Sequence, residues 1–505
     1  TALDVTVQAQ IFELLQRVQE ETGAGLILIT HDIGAVAEMA DQVVVMYAGR
    51  AVEYGRSNDV LRTAQHPYTE GLIRCVPHLY EDPGDERLPL DEIPGTVPAL
   101  TEVGDGCAFA DRCAYVMPRC RVETPSMLTA SGDHTAACWL LEEDDDRRLQ
   151  SQQSARQAGD KPGPAQTAKD PLLSVKNLTV YFPAGKKRLF SRTSQVHAVD
   201  DISFDVARGR TFGLVGESGS GKSTTAQAVV RLLELTSGSV ELDGTDLTKL
   251  SVKDLRNHRK RFQMVFQDPF SSLNPRMTAA DIVQEPLELM SIGSARERRQ
   301  RVAELFELVG LRRDQWGLYP HQFSGGQRQR IGIARALSTE PDIIVCDEPV
   351  SALDVAIQAQ VLNLLLRLQR ELKLTYIFIA HDLGVVQHMC DDIGVMYQGQ
   401  IVERGTRRTL FRRPLHPYTW ALLSAVPSAD PNYQAPDRRV RLKGDPPSPI
   451  DPTAGCRFAS RCPFAEERCR EETPVLRGVG RDGQQVACHL VEDDGSAPHT
   501  RYPVD

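Results

Sequence analysis

The chain has 505 residues, more than one hydrophobic core accommodates, so two or more domains are expected. Its 41% hydrophobic and 25% charged residues are typical of a globular protein, and a net charge of −10 argues against a nucleic-acid-binding surface. The sequence shows neither an apolar run of the ~18 residues that cross a bilayer nor a signal peptide. We therefore expect a cytoplasmic protein, whose membrane association would depend on partners.

The first part of the chain is repeated 350 residues later. Residues 1–55 align with 351–405 without a gap, and roughly half of the positions are identical. A period of this length indicates domain duplication. Because the chain opens inside the repeated pattern, at Thr1-Ala2-Leu3-Asp4, we expect residues 1–90 to be the C-terminal remnant of an N-terminally truncated first copy.

A phosphate-binding loop follows a short apolar strand predicted at Thr211–Val215, and helical spacing of apolar residues from Thr225 to Leu235 predicts a helix after it. The loop fits the pattern G-x-x-x-x-G-K-[ST]. Its N–H groups and the helix N-terminus would hold phosphate, with Lys222 on the β- and γ-phosphates and Ser223 on Mg²⁺. The predicted nucleotide-binding residues are Gly216, Glu217, Ser218, Gly219, Ser220, Gly221, Lys222, Ser223 and Thr224.

Five further motifs follow in a fixed order. They are Gln267 after an apolar run, Ser324-Gly325-Gly326-Gln327, Asp347-Glu348 after four apolar residues, Ala352-Leu353-Asp354, and His381-Asp382 after a second apolar run. Their order and spacing closely resemble the ATP-binding cassette (ABC) ATPases, over essentially the whole chain. In that family these are the Q-loop, the signature, Walker B, the D-loop and the switch histidine.

The resemblance implies an α/β fold of the P-loop NTPase type, duplicated, with a mainly parallel sheet, an antiparallel β portion and a helical subdomain between about residues 268 and 321. It implies catalytic roles for Lys222, Gln267, Glu348 and His381. Glu348 would orient or deprotonate the attacking water, and Mg²⁺ would be held by Ser223, Asp347 and Gln267.

Family members pair two cassettes head to tail. The signature residues Ser324–Gln327 and the D-loop Asp354 would therefore serve a nucleotide on the opposite copy, where Asp4 and His31 are the matching positions. An aromatic residue near the start of the domain would stack on adenine. Phe182 is our choice and Tyr181 the reserve, while simple strand packing of both stays an alternative.

Eight of the eleven cysteines form two matched sets of four, which share the frame Gly-Cys-x-Phe-Ala-x-Arg-Cys. The intervening lengths are 5, 6 and 17 residues in the first set and 5, 6 and 18 in the second. Four thiolates suit zinc or an iron–sulfur cluster, although zinc usually takes ligands in tighter pairs. The sets are Cys107, Cys113, Cys120 and Cys138, and Cys456, Cys462, Cys469 and Cys488.

The segment that follows each copy, from His-Pro-Tyr-Thr to the cysteines, resembles the oligopeptide/dipeptide importer ATPases. Members of that group carry a four-iron–four-sulfur cluster at this place, which favours a cluster here; zinc or unmetallated thiols are the alternatives. The resemblance divides the chain into the remnant at 1–90, a first cysteine-rich lobe at 91–140, a linker at 141–170, a complete cassette at 171–430, and a second lobe with a tail at 431–505.

The resulting expectation is an ATP-hydrolysing energy-coupling subunit of a peptide importer, lying peripherally on the cytoplasmic side of the plasma membrane. It would act with two integral-membrane permeases and, through them, an extracytoplasmic substrate-binding protein, without nucleic acid. Two alternatives stay open. One is a soluble twin-cassette ATPase acting on ribosomes or DNA, and the other is a degenerate cassette that serves as a scaffold, against which the intact Lys222, Glu348 and His381 argue.

Overall fold

The computed structural model describes the chain except for residues 1–4, 78, 80–86, 100, 102, 143–170, 185–193, 428–441, 443, 445, 453, 481 and 502–505. Asp4 and most of the predicted linker therefore lie outside the described residues. Among the described helices, none is long and apolar enough to cross a membrane.

The centre of the molecule is an eight-stranded sheet with the order β10-β11-β12-β7-β13-β14-β16-β15. The first five of these strands run parallel, and the last three are antiparallel. Their bounds are β7 Thr211–Val215, β10 Phe262–Val265, β11 Ile343–Asp347, β12 Thr375–Ile379, β13 Asp392–Tyr397, β14 Gln400–Thr406, β15 Arg477–Val479 and β16 Gln484–Val486. Every residue of β7, β11 and β12 is buried, as their apolar sequences predict for strands covered on both faces.

An antiparallel sheet of order β6-β5-β8-β9 packs beside this core, as the sequence predicted. Its strands are β5 Pro171–Ala184, β6 Ser194–Ala207, β8 Ser237–Leu242 and β9 Thr245–Asp246. Helix α5 (Lys222–Val229) lies between the two sheets' apolar residues and ends six residues before the predicted Leu235. The backbone of Arg231 is in the left-handed region, with φ of 57°, and the helix cannot continue through it. The apolar residues that follow keep a helical spacing in the sequence without forming a helix.

The segment predicted to be mostly helical contains α7 (Ala279–Leu289) and α8 (Ala295–Leu308). Thr278 and Ser294 begin these helices with complete capping boxes. The other helices of this half are α6 Val252–Arg259, α9 Gly325–Leu337, α10 Val355–Leu372, α11 Leu383–Met389, α12 Arg407–Arg412, α13 Pro417–Ser424, α14 Glu467–Glu471 and α15 Pro498–Arg501.

The N-terminal residues form a smaller unit around a sheet of order β1-β2-β4-β3. Its elements are α1 Val5–Thr22, α2 Ile33–Met39, β1 Gln42–Tyr47, β2 Arg50–Arg56, α3 Ser57–Arg62, α4 Pro67–Arg74, β3 Leu128–Ser131 and β4 His134–Ala136. In the predicted remnant, the apolar runs at residues 26–29 and 43–46 each predict a strand, and the second is confirmed within β1. The strand predicted at Leu26–Ile29 is wrong, because these residues have no regular structure and Ile27 and Ile29 are 91% and 95% exposed.

The two units contact each other through matching positions. Gln360 on α10 donates to the carbonyl of Ile93 at 2.7 Å, and Gln10 on α1 donates to the carbonyl of Leu442 at 3.2 Å. Asn363 adds hydrogen bonds to Leu90 in both directions. The segments that contain Ile93 and Leu442 thus contact α10 and α1, two helices at matching positions of the sequence repeat.

Candidate functional site

The phosphate loop takes a backbone path that requires glycine at two positions. Gly216 has φ of 148°, and a Cβ there would lie 2.1 Å from the carbonyl oxygen of Met396. Gly221 has φ of 103°, and its Cβ would lie 2.2 Å from the carbonyl oxygen of Ala198. No real side chain tolerates such distances, so the motif's glycines are explained by close backbone packing as well as by phosphate access.

Lys222, the first residue of α5, is buried, and its Nζ points back into the loop. It donates to the carbonyls of Gly216 at 2.8 Å and Glu217 at 2.9 Å. Its ammonium therefore lies in the concave side of the loop, where phosphate would be cradled by backbone N–H groups.

The predicted magnesium ligands Ser223 and Asp347 are brought together. The Ser223 hydroxyl donates to Asp347 Oδ1 at 3.0 Å, and Asp347 ends the buried strand β11. Burial raises the pKa of the Asp347 carboxyl. A hydroxyl and a carboxylate side by side are the oxygen ligands that Mg²⁺ prefers, so these residues fit the ion.

Glu348 lies at the centre of a second group of predicted residues. Gln267 Nε2 donates to Glu348 Oε2 at 2.6 Å, and His381 Nδ1 is 3.5 Å from the same oxygen. The contact with His381 lowers the pKa of Glu348, and the same contact raises the pKa of His381. Glu348 also has φ of 47°, a strained conformation for a residue other than glycine that is typical of functional sites.

The two aromatic candidates for adenine stacking have different surroundings. The Tyr181 hydroxyl donates to the Asp200 carboxylate, and its ring stacks on His197 with centroids 3.8 Å apart. Phe182 is 38% exposed. Tyr181 is thus engaged within the protein, and Phe182 has the open face that a stacked base needs.

The signature begins helix α9. Ser324 is its N-cap, accepting from the Gln327 N–H, while the Gln327 side chain accepts from Ser324 in return. A Cβ on Gly326 would lie 2.3 Å from Cγ2 of Ile357 on α10, and Asp354 caps that helix. The contacts described for these residues are local, and they do not join the group around Glu348.

His31, the position that matches His381, is exposed, whereas His381 is 28% exposed beside Glu348. The structure therefore gathers Lys222, Ser223, Gln267, Asp347, Glu348 and His381 in one place, while Ser324, Gly325, Gly326, Gln327, Asp354 and His31 lie elsewhere.

Each cysteine set converges in space. The first set lines one pocket, whose other walls include Phe109 and Trp139. In both lobes the first cysteine's N–H donates to the third cysteine's carbonyl, at 2.7 Å and 2.8 Å. All eight thiols are free, yet among the described residues no three His, Cys, Asp or Glu side chains surround a point as tightly as one metal ion requires.

The sequence analysis missed the contacts that fix Glu217. The Tyr418 hydroxyl accepts from the Glu217 N–H at 2.8 Å, and Arg461 binds the Glu217 carboxylate through two nitrogens. Both residues lie in patterns that repeat in the sequence, Tyr418 in His-Pro-Tyr-Thr and Arg461 in the cysteine frame. Neither pattern indicates that the residue contacts Glu217.

Two family models match the chain. The one described as "ABC transporter" matches residues 199–351. The one described as "Oligopeptide/dipeptide transporter, C-terminal region" matches twice, at residues 52–120 and 402–469.

Similar curated proteins come from several bacteria. The oligopeptide transport ATP-binding protein OppD of Mycobacterium tuberculosis is 45% identical over 85% of this chain and 70% of its own length. YkfD of Bacillus subtilis is 52% identical over 63% of this chain and 95% of its own. The glutathione import ATP-binding protein GsiA of Salmonella typhimurium is 43% identical over 89% of this chain and 63% of its own. These matches show an ATP-hydrolysing transport ATPase, and the chain belongs to the ABC transporter ATP-binding proteins of the oligopeptide/dipeptide importer type.

Proposed function

We propose that the chain couples ATP hydrolysis to the import of di- or oligopeptides, by acting on two membrane permeases at the cytoplasmic face of the plasma membrane. The observation that carries the hydrolytic part is the contact of Gln267 and His381 with Glu348, beside the Ser223–Asp347 pair. The names of OppD and GsiA support import of peptide-like cargo. The permeases and a substrate-binding protein are partners that such a subunit requires.

Each residue of the site has a role that its contacts support. Lys222 would neutralise phosphate charge from inside the loop. Ser223 and Asp347 would hold Mg²⁺, which bridges phosphate oxygens and offsets their charge. Glu348, ionised and restrained by Gln267 and His381, would accept a hydrogen bond from the attacking water and align it. Phe182 would stack on adenine, and Ser324–Gln327 with Asp354 would face a nucleotide held by another cassette.

A pair of substitutions tests the assignment. Lys222→Ala should abolish ATP binding, and Glu348→Gln should retain binding while turnover falls by at least about 100-fold. Binding is measured with a fluorescent ATP analogue and turnover by phosphate release, in the chain assembled with its permeases. Normal turnover in Glu348→Gln would show that another residue aligns the water.

The cargo is tested in the same assembly reconstituted into vesicles. Uptake of a labelled tripeptide by an active chain, and its absence with Glu348→Gln, supports peptide import. Uptake of glutathione in preference to unmodified peptides would move the proposal toward the activity named for GsiA.

We also propose that the chain contains two related copies, each followed by its own cysteine lobe, with the boundaries given from the sequence. The second match of the transporter C-terminal region and the matching positions Gln10 and Gln360 support this arrangement. Because the described 5–77 segment contains no phosphate loop, the nucleotide site of this chain is the one around Lys222.

Each cysteine set is proposed to hold an iron–sulfur cluster. The four cysteines of the first set line a shared pocket, and four thiolates are the ligand set that such a cluster takes. Anaerobically purified protein should contain iron and acid-labile sulfide in equal amounts. Stoichiometric zinc without sulfide, or no metal, would reject the cluster.

A further inference from the structure

Two arginines of the second cysteine lobe are sequence neighbours of its first two cysteines and contact residues outside the lobe. Arg457 directly follows Cys456, and Arg461 directly precedes Cys462. Their side chains are only 8% and 3% exposed. Charged side chains this buried need partners, and both partners belong to the nucleotide-binding half of the molecule.

Arg461 binds the phosphate loop. Its two terminal nitrogens donate to the two carboxylate oxygens of Glu217 at 2.7 and 3.1 Å, and the Glu217 side chain is 4% exposed. The Glu217 N–H is held at the same time by the Tyr418 hydroxyl, and its carbonyl accepts from Lys222. One loop residue is therefore fixed through its side chain, its N–H and its carbonyl, and the side-chain contact comes from the cysteine lobe that follows the cassette.

Arg457 reaches the other end of the nucleotide site. It donates to the Asp200 carboxylate, which also accepts from the Tyr181 hydroxyl. Tyr181 immediately precedes Phe182, the candidate for adenine stacking, on strand β5. Arg457 also donates to the carbonyl of Gln398.

The residue after Gln398 extends this connection to the phosphate loop. The Gly399 N–H donates to the carbonyl of Ser220 at 2.8 Å, and its carbonyl accepts from the Asp200 N–H at 2.8 Å. Arg457 is thus linked to the adenine region through Asp200 and to the phosphate loop through Gln398 and Gly399.

We propose that Arg461 and Arg457 are positioning residues of the ATP site, through which the second cysteine lobe sets the affinity of the cassette for nucleotide. The inference rests on the ATP site proposed around Lys222. Arg461 offsets the charge of a carboxylate buried within the loop that receives the phosphates, so its removal withdraws positive charge from the place where more negative charge must bind. Folding of the lobe around its cysteines positions both arginines. Disruption of the lobe should therefore lower the affinity of the site for nucleotide.

The first lobe provides a matched control. Arg112 occupies the position of Arg461 in the shared frame and is similarly buried, with 7% of the residue exposed against 5% for Arg461. It donates to the Tyr47 hydroxyl, as Arg461 does to the Tyr397 hydroxyl, but its other acceptors are the carbonyls of Ile93 and Pro94 and not a carboxylate. The position of Arg457 is taken by Ala108. The same lobe framework is thus present without these two connections.

The test measures the Kd of a fluorescent ATP analogue for the full chain, with KM and kcat for ATP alongside. Arg461→Ala should raise Kd and KM about tenfold, with a much smaller change in kcat, and Arg461→Lys should recover part of the loss. Glu217→Gln added to Arg461→Ala should restore affinity, because it removes the carboxylate charge that Arg461 no longer offsets. Arg112→Ala should bind like the unchanged chain, and Cys462→Ser should weaken binding while Cys113→Ser does not.

Circular dichroism and thermal unfolding identify variants that fail to fold; if Arg461→Ala is one of them, Arg461→Lys and the double variant carry the test. Unchanged affinity in Arg461→Ala, or a double variant as weak as the single one, would overturn the proposal. Equal weakening by Arg112→Ala would also overturn it, by showing a general effect of lobe stability. If Lys222→Ala leaves binding intact, the ATP site itself is wrongly assigned and the inference fails with it.

Discussion

The segments 26–29 and 376–379 occupy matching positions in the two copies and share an apolar character, yet they have different structures. In the second copy the segment forms β12 between β11 and β7, with Ile377 and Ile379 fully buried. In the first, Ile27 and Ile29 are almost fully exposed and have no regular structure. An apolar run becomes a strand only where neighbouring strands pair with its backbone and cover its side chains.

The two cysteine lobes show the opposite case, in which matching sequences have the same packing. Phe109 of the first lobe packs with Tyr47 and Tyr68 in an aromatic cluster that Phe458, Tyr397 and Tyr418 repeat, with centroid distances that agree within about 0.1 Å. Each lobe thus packs in the same way against the strand and helix that precede it, and the difference lies in its other contacts.

The largest expected effect is on the free energy of unfolding, and it tests the comparison between segments 26–29 and 376–379. Ile377→Ala should lower the free energy of unfolding by about 2–5 kcal/mol, since it opens a cavity between β12 and its neighbours. Ile27→Ala, its match in the first copy, should change it by less than about 0.5 kcal/mol. Denaturant unfolding followed by circular dichroism measures both. A comparable loss in the two variants would mean that Ile27 is covered in solution.

A second prediction compares the histidines. His381→Ala should reduce kcat by about 100-fold, because Glu348 loses the partner that restrains it and keeps it ionised. His31→Ala should leave turnover at the Lys222 site unchanged, since His31 is exposed. Steady-state phosphate release measures both. Loss of turnover in His31→Ala would show that the first copy contributes to this site.

The pH dependence of turnover should reflect the titration of Glu348 and His381. The pKa of Glu348 is lowered, so its carboxylate is lost only as the pH falls below the ordinary value of 4.5. The pKa of His381 is raised, so its charge is lost as the pH rises through a value above 6.5. We expect an alkaline decline in kcat that disappears in His381→Gln. An unchanged decline in that variant would assign it to another group.

The sequence predicted the fold and the elements that carry the candidate site residues well, because both depend on local patterns. The strand before Gly216, the capped helix after Ser324 and the buried strand before Asp347 follow from neighbouring residues, and all three are confirmed. The resemblance supplied the order in which they come together. The wrong strand at Leu26–Ile29 and the early end of α5 at Val229 depended on packing and backbone conformation that no pattern encodes.

The contacts of the lobe with the nucleotide site were not predictable for a related reason. Arg461 and Glu217 are 244 residues apart in sequence, and the arginine of the cysteine frame is identical in both copies. Both arginines donate to a tyrosine hydroxyl, and only the three-dimensional arrangement shows that Arg461 also binds a carboxylate where Arg112 binds two carbonyls.

The smallest predicted effect concerns two buried glutamates, Glu53 and Glu403, which differ in one partner. Both accept two backbone N–H groups, but Glu53 also contacts His134 at 2.7 Å, where Glu403 has Gln484 at the same distance. Burial raises the pKa of Glu403 to about 7, against an ordinary value of 4.5. The stability that this carboxyl contributes is therefore fully present below pH 4.5 and is lost as the pH rises through about 7.

The unfolding free energy of the unchanged chain, relative to Glu403→Gln, should fall by on the order of 1 kcal/mol between pH 4.5 and 7.5. Gln484→His copies the first lobe, and its imidazolium would pair with the ionised carboxylate and lower the pKa of Glu403. That variant should lose most of the decline over the same range, because carboxylate and imidazolium are then both charged near pH 6. Denaturant midpoints at several pH values measure these slopes, and parallel slopes in all three proteins would show that Glu403 does not titrate in this range.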